Sequence, residues 1–106
     1  MSLFSGVAVA LLTFFGDDGE LDAAATAEHA VRLADAGITA IVVAGTTGEA
    51  ATLDRDERLD LVRVVRAAVP SAVPVIAGTG APSARQAVDA GYHQFIACAQ
   101  TDSILC

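Results

Sequence analysis

The chain contains no lysine and no tryptophan, and its positive charge is carried by six arginines alone. Thirteen acids outweigh them, leaving a net charge of −7. A surface of that sign repels nucleic acid and anionic membranes, so neither is an expected partner. Long apolar runs are missing as well. The apolar segment over residues 7–12 is too short to span a bilayer, and Asp17, Asp18 and Glu20 follow it closely. Residues 1–4 lack the basic start of a secretory signal. Cysteine is scarce: Cys98 and Cys106 match no C-x-x-C or zinc spacing, and His29 and His93 stand far apart. These absences argue against a disulfide scaffold or a metal centre. The expectation is a cytoplasmic protein with free thiols and no metal.

What is present is aliphatic. Hydrophobic residues, mostly Ala, Val, Leu and Ile, make up 54% of 106 residues, enough for one small packed domain of helices on a sheet. The apolar run of residues 6–12 leads into Thr13, Phe14 and Phe15, then an acidic, Gly-containing loop over residues 16–20. Residues 21–36 show helical periodicity, with Ala27, Ala30, Val31 and Ala34 on one face and Gly37 as the stop. Residues 39–44 form a continuous apolar strand of the doubly buried, parallel-sheet kind. Asp54 and Glu57 make a capping box for a helix to about residue 69. Its buried stripe is Leu61, Val62, Val65 and Val69, with Arg58, Arg63 and Arg66 placed in solvent. Residues 73–77 are the third strand, and Ser83 with Gln86 caps a third helix over residues 84–90. The order β-α-β-α-β-α with all-apolar strands predicts parallel pairing and right-handed crossovers. Residues 92–106 break this texture, and residues 95–99 are a candidate fourth strand.

The candidate chemistry sits where the second strand stops, at Gly45-Thr46-Thr47-Gly48-Glu49. A strand ending this way presents backbone N–H groups and two hydroxyls at its C-terminal edge, where α/β folds bind ligands. Short neutral donors suit a small carboxylate or phosphate. The competing reading is a plain turn whose hydroxyls cap the next helix. Glu49 reads as a hydrogen-bond anchor for neighbouring N–H groups more than as a general acid. Phe14 and Phe15 read as core or interface, His29 as solvated, and Asp17, Asp18 and Glu20 as a solvated acidic loop. Gly78-Thr79-Gly80-Ala81-Pro82-Ser83 approximates G-x-G-x-x-G, with Asp102 at the spacing of a ribose-binding acid. The missing third glycine and Pro82 favour a tight turn over a dinucleotide site.

Several stretches together carry a family likeness. Residues 6–15, Leu21-Asp22, Gly45-Thr46-Thr47-Gly48-Glu49-Ala50-Ala51-Thr52-Leu53, Asp56-Glu57-Arg58 and Pro74-Val75-Ile76-Ala77-Gly78-Thr79-Gly80 resemble the N-terminal part of the dihydrodipicolinate synthase / N-acetylneuraminate lyase family. The resemblance implies an α/β fold, a TIM (β/α)8 barrel of which this chain supplies about the first three to four βα units. Residues 1–91 are then that portion. Residues 92–106 are an atypical tail, either a fourth strand or non-native sequence. The implied activity is that of a pyruvate-dependent, class I aldolase-type lyase closest to dihydrodipicolinate synthase, joining pyruvate to an aldehyde through a Schiff base on a lysine.

By that likeness Thr47, with Gly48 and Thr46, would bind the substrate, Thr47 taking the pyruvate carboxylate. Thr46 would also join a proton relay with tyrosines supplied elsewhere. No cofactor or metal is implied, and a homo-oligomer, dimer or tetramer, is. The family's usual proline is replaced by Phe14. The Schiff-base lysine and relay tyrosines belong to later strands, which this chain lacks. Arginine cannot substitute, because its guanidinium stays protonated and is a poor nucleophile. The chain alone is therefore expected to be inactive. Two alternatives stay open: a 2-keto-3-deoxy sugar-acid aldolase or dehydratase of the same superfamily, and a non-catalytic α/β anion-binding module.

Overall fold

The computed structural model describes residues 5–80, 83–89 and 104–105. Its elements are β1 (Ala8–Ala10), α1 (Ala23–Asp35), β2 (Ala40–Val43), a 3-10 turn (Ala50–Thr52), α2 (Arg55–Ala68), β3 (Val75–Ala77) and β4 (Ile104–Leu105). Residues 84–89 are also helical, and Ser83 Oγ accepts from the Gln86 N–H at 3.1 Å as the spacing predicts.

Each helix begins and ends on identifiable residues. Asp22 caps α1, its carboxylate accepting from the Ala25 N–H at 2.9 Å. At the other end Gly37 takes φ +109°, a conformation in which a side chain is strained. Its N–H donates to Ala34 O, and the Ile38 N–H donates to Leu33 O. That pair of bonds is a Schellman motif and satisfies carbonyls that a helix end leaves bare. In α2 the capping box is complete: Asp54 accepts from the Glu57 N–H at 2.8 Å, and Glu57 accepts from the Asp54 N–H at 3.0 Å.

Helix α2 overturns an expectation. Arg58 and Arg66 are not in solvent; each is only 8% exposed, whereas Arg63 is exposed as predicted. Arg66 donates to three backbone carbonyls, Val73 O at 2.6 Å, Val69 O at 3.2 Å and Pro70 O at 2.5 Å. A cation here meets both bare carbonyls and the negative end of the helix dipole. Desolvation by burial lowers the pKa of its guanidinium, yet an arginine in a protein keeps its proton.

The sheet is parallel, with strands in the order β1-β2-β3-β4, the order of the chain itself. A doubly wound sheet would reverse order and place helices on both faces. Here the register sets Val9, Ile41 and Val75 in one row and Ala10, Val42 and Ile76 in the next. Ile41 and Val75 are fully buried and share a core with Leu11, Val43, Ala30 of α1, and Leu61, Val62 and Val65 of α2. Ala10 is exposed and Val42 and Ile76 are only half-buried, so the opposite face is the uncovered one. Helices on one face of a sheet in chain order are the wall of a barrel.

The candidate strand at residues 95–99 lies outside the described residues, as do Tyr92, His93, Cys98 and Cys106; β4 is the strand that pairs with β3. His29 is half-buried, not solvated: its ring centroid lies 5.1 Å from that of Phe14, and its Nδ1 is 3.2 Å from an Arg32 nitrogen. Phe15 packs against the core, and Asp17, Asp18 and Glu20 are exposed, both as expected. No helix among the described residues is long and apolar enough to cross a membrane.

Candidate functional site

The C-terminal ends of β1, β2 and β3 converge on the loop that follows β2. The Leu11 N–H donates to Val42 O at 2.9 Å, and the Gly78 N–H donates to Val43 O at 2.8 Å. Beyond these bonds the chain after β2 must turn sharply. Ala44 takes φ +57° and Glu49 φ +58°, so two residues with side chains sit in the left-handed region on either side of the Gly45-Thr46-Thr47-Gly48 segment. Each such residue costs about 1–2 kcal/mol and persists only where its surroundings enforce it.

The surroundings do enforce it. Gly78 packs so closely on Ala44 that a Cβ there would lie 2.2 Å from Ala44 O. Gly48 is buried, and a Cβ on it would lie 2.8 Å from Leu11 O. The hydroxyl of Thr13, itself buried, donates to Gly48 O at 2.6 Å. Within the loop the Glu49 N–H donates to Thr46 O at 3.0 Å and the Ala50 N–H to Gly45 O at 3.2 Å.

Thr46 and Thr47 are both exposed at this edge. Neither hydroxyl bonds to another described residue, and α2 is capped by Asp54 instead. The hydroxyls are thus not consumed as helix caps. Thr46 lines an open cleft of about 460 Å³, together with Gly45, Glu49, Arg58 and Gly78. Thr47 is not among its lining residues, and Gly48 lies beneath the loop as its buried support. Glu49 differs from expectation: its carboxylate caps no N–H group among the described residues, and the residue is exposed and lines the cleft. Its backbone carbonyl does the anchoring, accepting from the Thr52 hydroxyl at 2.8 Å.

Thr13 and Arg58 were not among the candidate site residues, and Gly78 was weighed only as part of a tight turn or dinucleotide motif, although each left a trace in the sequence. Thr13 is the first polar residue after an apolar strand, Gly78 directly follows another, and Arg58 closes the Asp56-Glu57-Arg58 stretch. Among the described residues no group of three or more His, Cys, Asp or Glu comes together that could hold a metal ion.

A parallel sheet in chain order, helices on one face and a donor-bearing loop at the strands' C-terminal edge define the opening portion of a TIM-barrel fold. Comparison with known proteins makes the class specific. The model of the dihydrodipicolinate synthetase family matches residues 3–103, and the chain belongs to that family. It is 47% identical over 87 residues to 4-hydroxy-tetrahydrodipicolinate synthase of Synechococcus sp., covering 82% of this chain and 28% of the relative. It is 42% identical over 91 residues to the probable mitochondrial 4-hydroxy-2-oxoglutarate aldolase of Emericella nidulans, covering 82% and 29%. Among solved structures, dihydrodipicolinate synthase DapA-2 from Bacillus anthracis superposes with TM-score 0.82 at 40% identity, over 92% of this chain and 33% of that one. The Escherichia coli K12 family member YagE, solved in complex with pyruvate, superposes with TM-score 0.79 at 33% identity, over 91% and 32%. The chain therefore spans about a third or less of the length of these relatives.

Proposed function

We propose that this chain forms the carboxylate-holding part of a pyruvate-dependent, Schiff-base aldolase, with dihydrodipicolinate synthase the nearest activity. One observation carries the reading. Thr46 and Thr47 are exposed and their hydroxyls bond to no described residue, at the strand edge where barrel enzymes bind substrate, on a loop whose strained backbone is held from three sides. Unused donors on a preorganised loop favour a ligand that supplies acceptors and nothing larger. A relative solved with pyruvate names an acid of that size.

In this reading the Thr47 hydroxyl and the adjoining N–H groups donate to the keto acid's carboxylate. Hydrogen bonds to a charged acceptor contribute about 1.5–3 kcal/mol each. Thr46, beside the cleft, passes a proton to or from the reacting end. The imine requires an amine nucleophile, and these 106 residues contain no lysine. The chain then holds pyruvate without activating it, and the carbon–carbon bond step depends on groups outside it. The likeness to a probable 4-hydroxy-2-oxoglutarate aldolase fits the same reading, with the keto-acid end shared and the aldehyde partner chosen elsewhere in the barrel. Assembly into a homo-oligomer belongs to the same proposal.

Borohydride reduction in the presence of pyruvate tests it. The intact mass of the chain stays unchanged while pyruvate still binds. A reduced covalent adduct on the chain overturns the assignment of the nucleophile to residues outside it.

A further inference from the structure

We propose that Arg58 is the positioning residue of the Thr46-Thr47 cradle, holding the loop after β2 and the loop after β3 in one fixed relation. This rests on the keto-acid reading above for its substrate and on the hydrogen bonds of α2 for its geometry.

Arg58 is only 8% exposed, and no carboxylate pairs with it among the described residues. Taking a guanidinium out of water without a counter-charge is costly, so its partners must be well placed. They are two backbone carbonyls on different loops: Ala50 O at 2.7 Å and Gly80 O at 3.0 Å. The two terminal nitrogens of one planar fork thus bridge the 3-10 turn after β2 and the segment after β3. An ammonium is a single point of charge and lacks the fork that fits two separate acceptors.

The Ala50 contact leads straight to the cradle. The Ala50 N–H donates to Gly45 O at 3.2 Å, and the preceding N–H, of Glu49, donates to Thr46 O at 3.0 Å. Pinning Ala50 from behind therefore holds both bonds that close the loop. It also helps to hold Glu49 at φ +58°, where an isolated glutamate would not stay. Arg58 lines the same cleft as Thr46, and its guanidinium acts on the ligand through the loop. A positioning group of this kind changes affinity by changing the fraction of molecules whose loop is competent.

The test compares the 106-residue chain with Arg58→Lys, which keeps the charge, and Arg58→Gln, which keeps a short donor. Amide exchange by NMR reads the loop with no ligand present. The expected result is faster exchange at Glu49 and Ala50 by about tenfold or more in both variants, with the core amides of Ile41 and Val65 unchanged. Pyruvate titration of the same samples is expected to weaken by a similar factor, and by less for Arg58→Lys than for Arg58→Gln. A residue that merely stabilises the fold would accelerate exchange at all four amides together. That uniform pattern, unchanged exchange at Glu49 and Ala50, or failure of both variants to fold overturns the proposal. If the parent chain takes up no pyruvate while the loop amides respond as stated, the keto-acid reading fails and the positioning role stands. If the parent binds pyruvate and the variants match it in affinity and exchange, the reverse holds.

Discussion

Gly78→Ala places a methyl group where the backbone leaves no room for one. The added Cβ would lie 2.2 Å from Ala44 O, 2.8 Å from Ala44 C and 3.2 Å from Gly45 N. All three are main-chain atoms, so no side-chain rotation relieves the clash. The end of β3 must move away from that of β2, which stretches the 2.8 Å bond from the Gly78 N–H to Val43 O. Overpacking of this kind costs about 1–3 kcal/mol, and a weakened hydrogen bond adds about 1 kcal/mol. The expected loss is therefore about 2–4 kcal/mol, or roughly 8–30 °C in Tm for a domain of this size. Gly80→Ala is the matched control, since no described residue has an atom within 4 Å of its added Cβ. It should stay within about 0.5 kcal/mol of the parent. Urea denaturation followed by circular dichroism measures both. Equal stability of the two variants, or a Gly78→Ala within about 0.5 kcal/mol of the parent, would refute the claim that this contact locks the loop.

Thr13→Val keeps the shape of the side chain but leaves the Gly48 carbonyl without its 2.6 Å donor. It should cost about 1–3 kcal/mol in urea denaturation, with Thr13→Ser recovering most of the loss. Arg66→Met keeps the apolar stem and strips three carbonyls of their donor; thermal unfolding should show a loss of about 2–4 kcal/mol. Glu49→Gly removes a side chain from φ +58° at an exposed position. Relief of strain outweighs or balances the added entropy of the unfolded chain, so stability should rise by about 0–1 kcal/mol in the same assay.

The parts of the fold that were legible in the sequence are those decided locally. The stop at Gly37, the Asp54/Glu57 box and the stripe of Leu61, Val62, Val65 and Val69 each depend on residues a few positions apart. The parallel pairing followed from strands with no polar face, such as Ala40–Val43. What was hidden depends on chain reversal. Arg58 and Arg66 sit among polar residues of α2 and read as solvated; their acceptors are carbonyls brought in by the turns before and after the helix and by the segment after β3. The role of Thr13 is set by a carbonyl 35 residues away. The strain at Ala44 is invisible because alanine carries no mark of a left-handed conformation, and only the fit of Gly78 against it makes the turn necessary. At the site, the Gly-Thr-Thr-Gly segment could be picked out, and so could Asp54 as the cap of α2, but which of the segment's residues line the cleft and which lie buried beneath the loop could not.

The central claim is that the strand-edge loop of Thr46, Thr47 and Gly48 grips the charged end of a small keto acid. A pyruvate titration of the isotopically labelled 106-residue chain, read residue by residue in NMR spectra, tests it most directly. The account predicts saturable shifts centred on the amides of Thr46, Thr47 and Gly48, weakened about tenfold or more in Thr47→Val. Shifts centred on any other part of the chain, or none at concentrations that saturate a binding site, would contradict it.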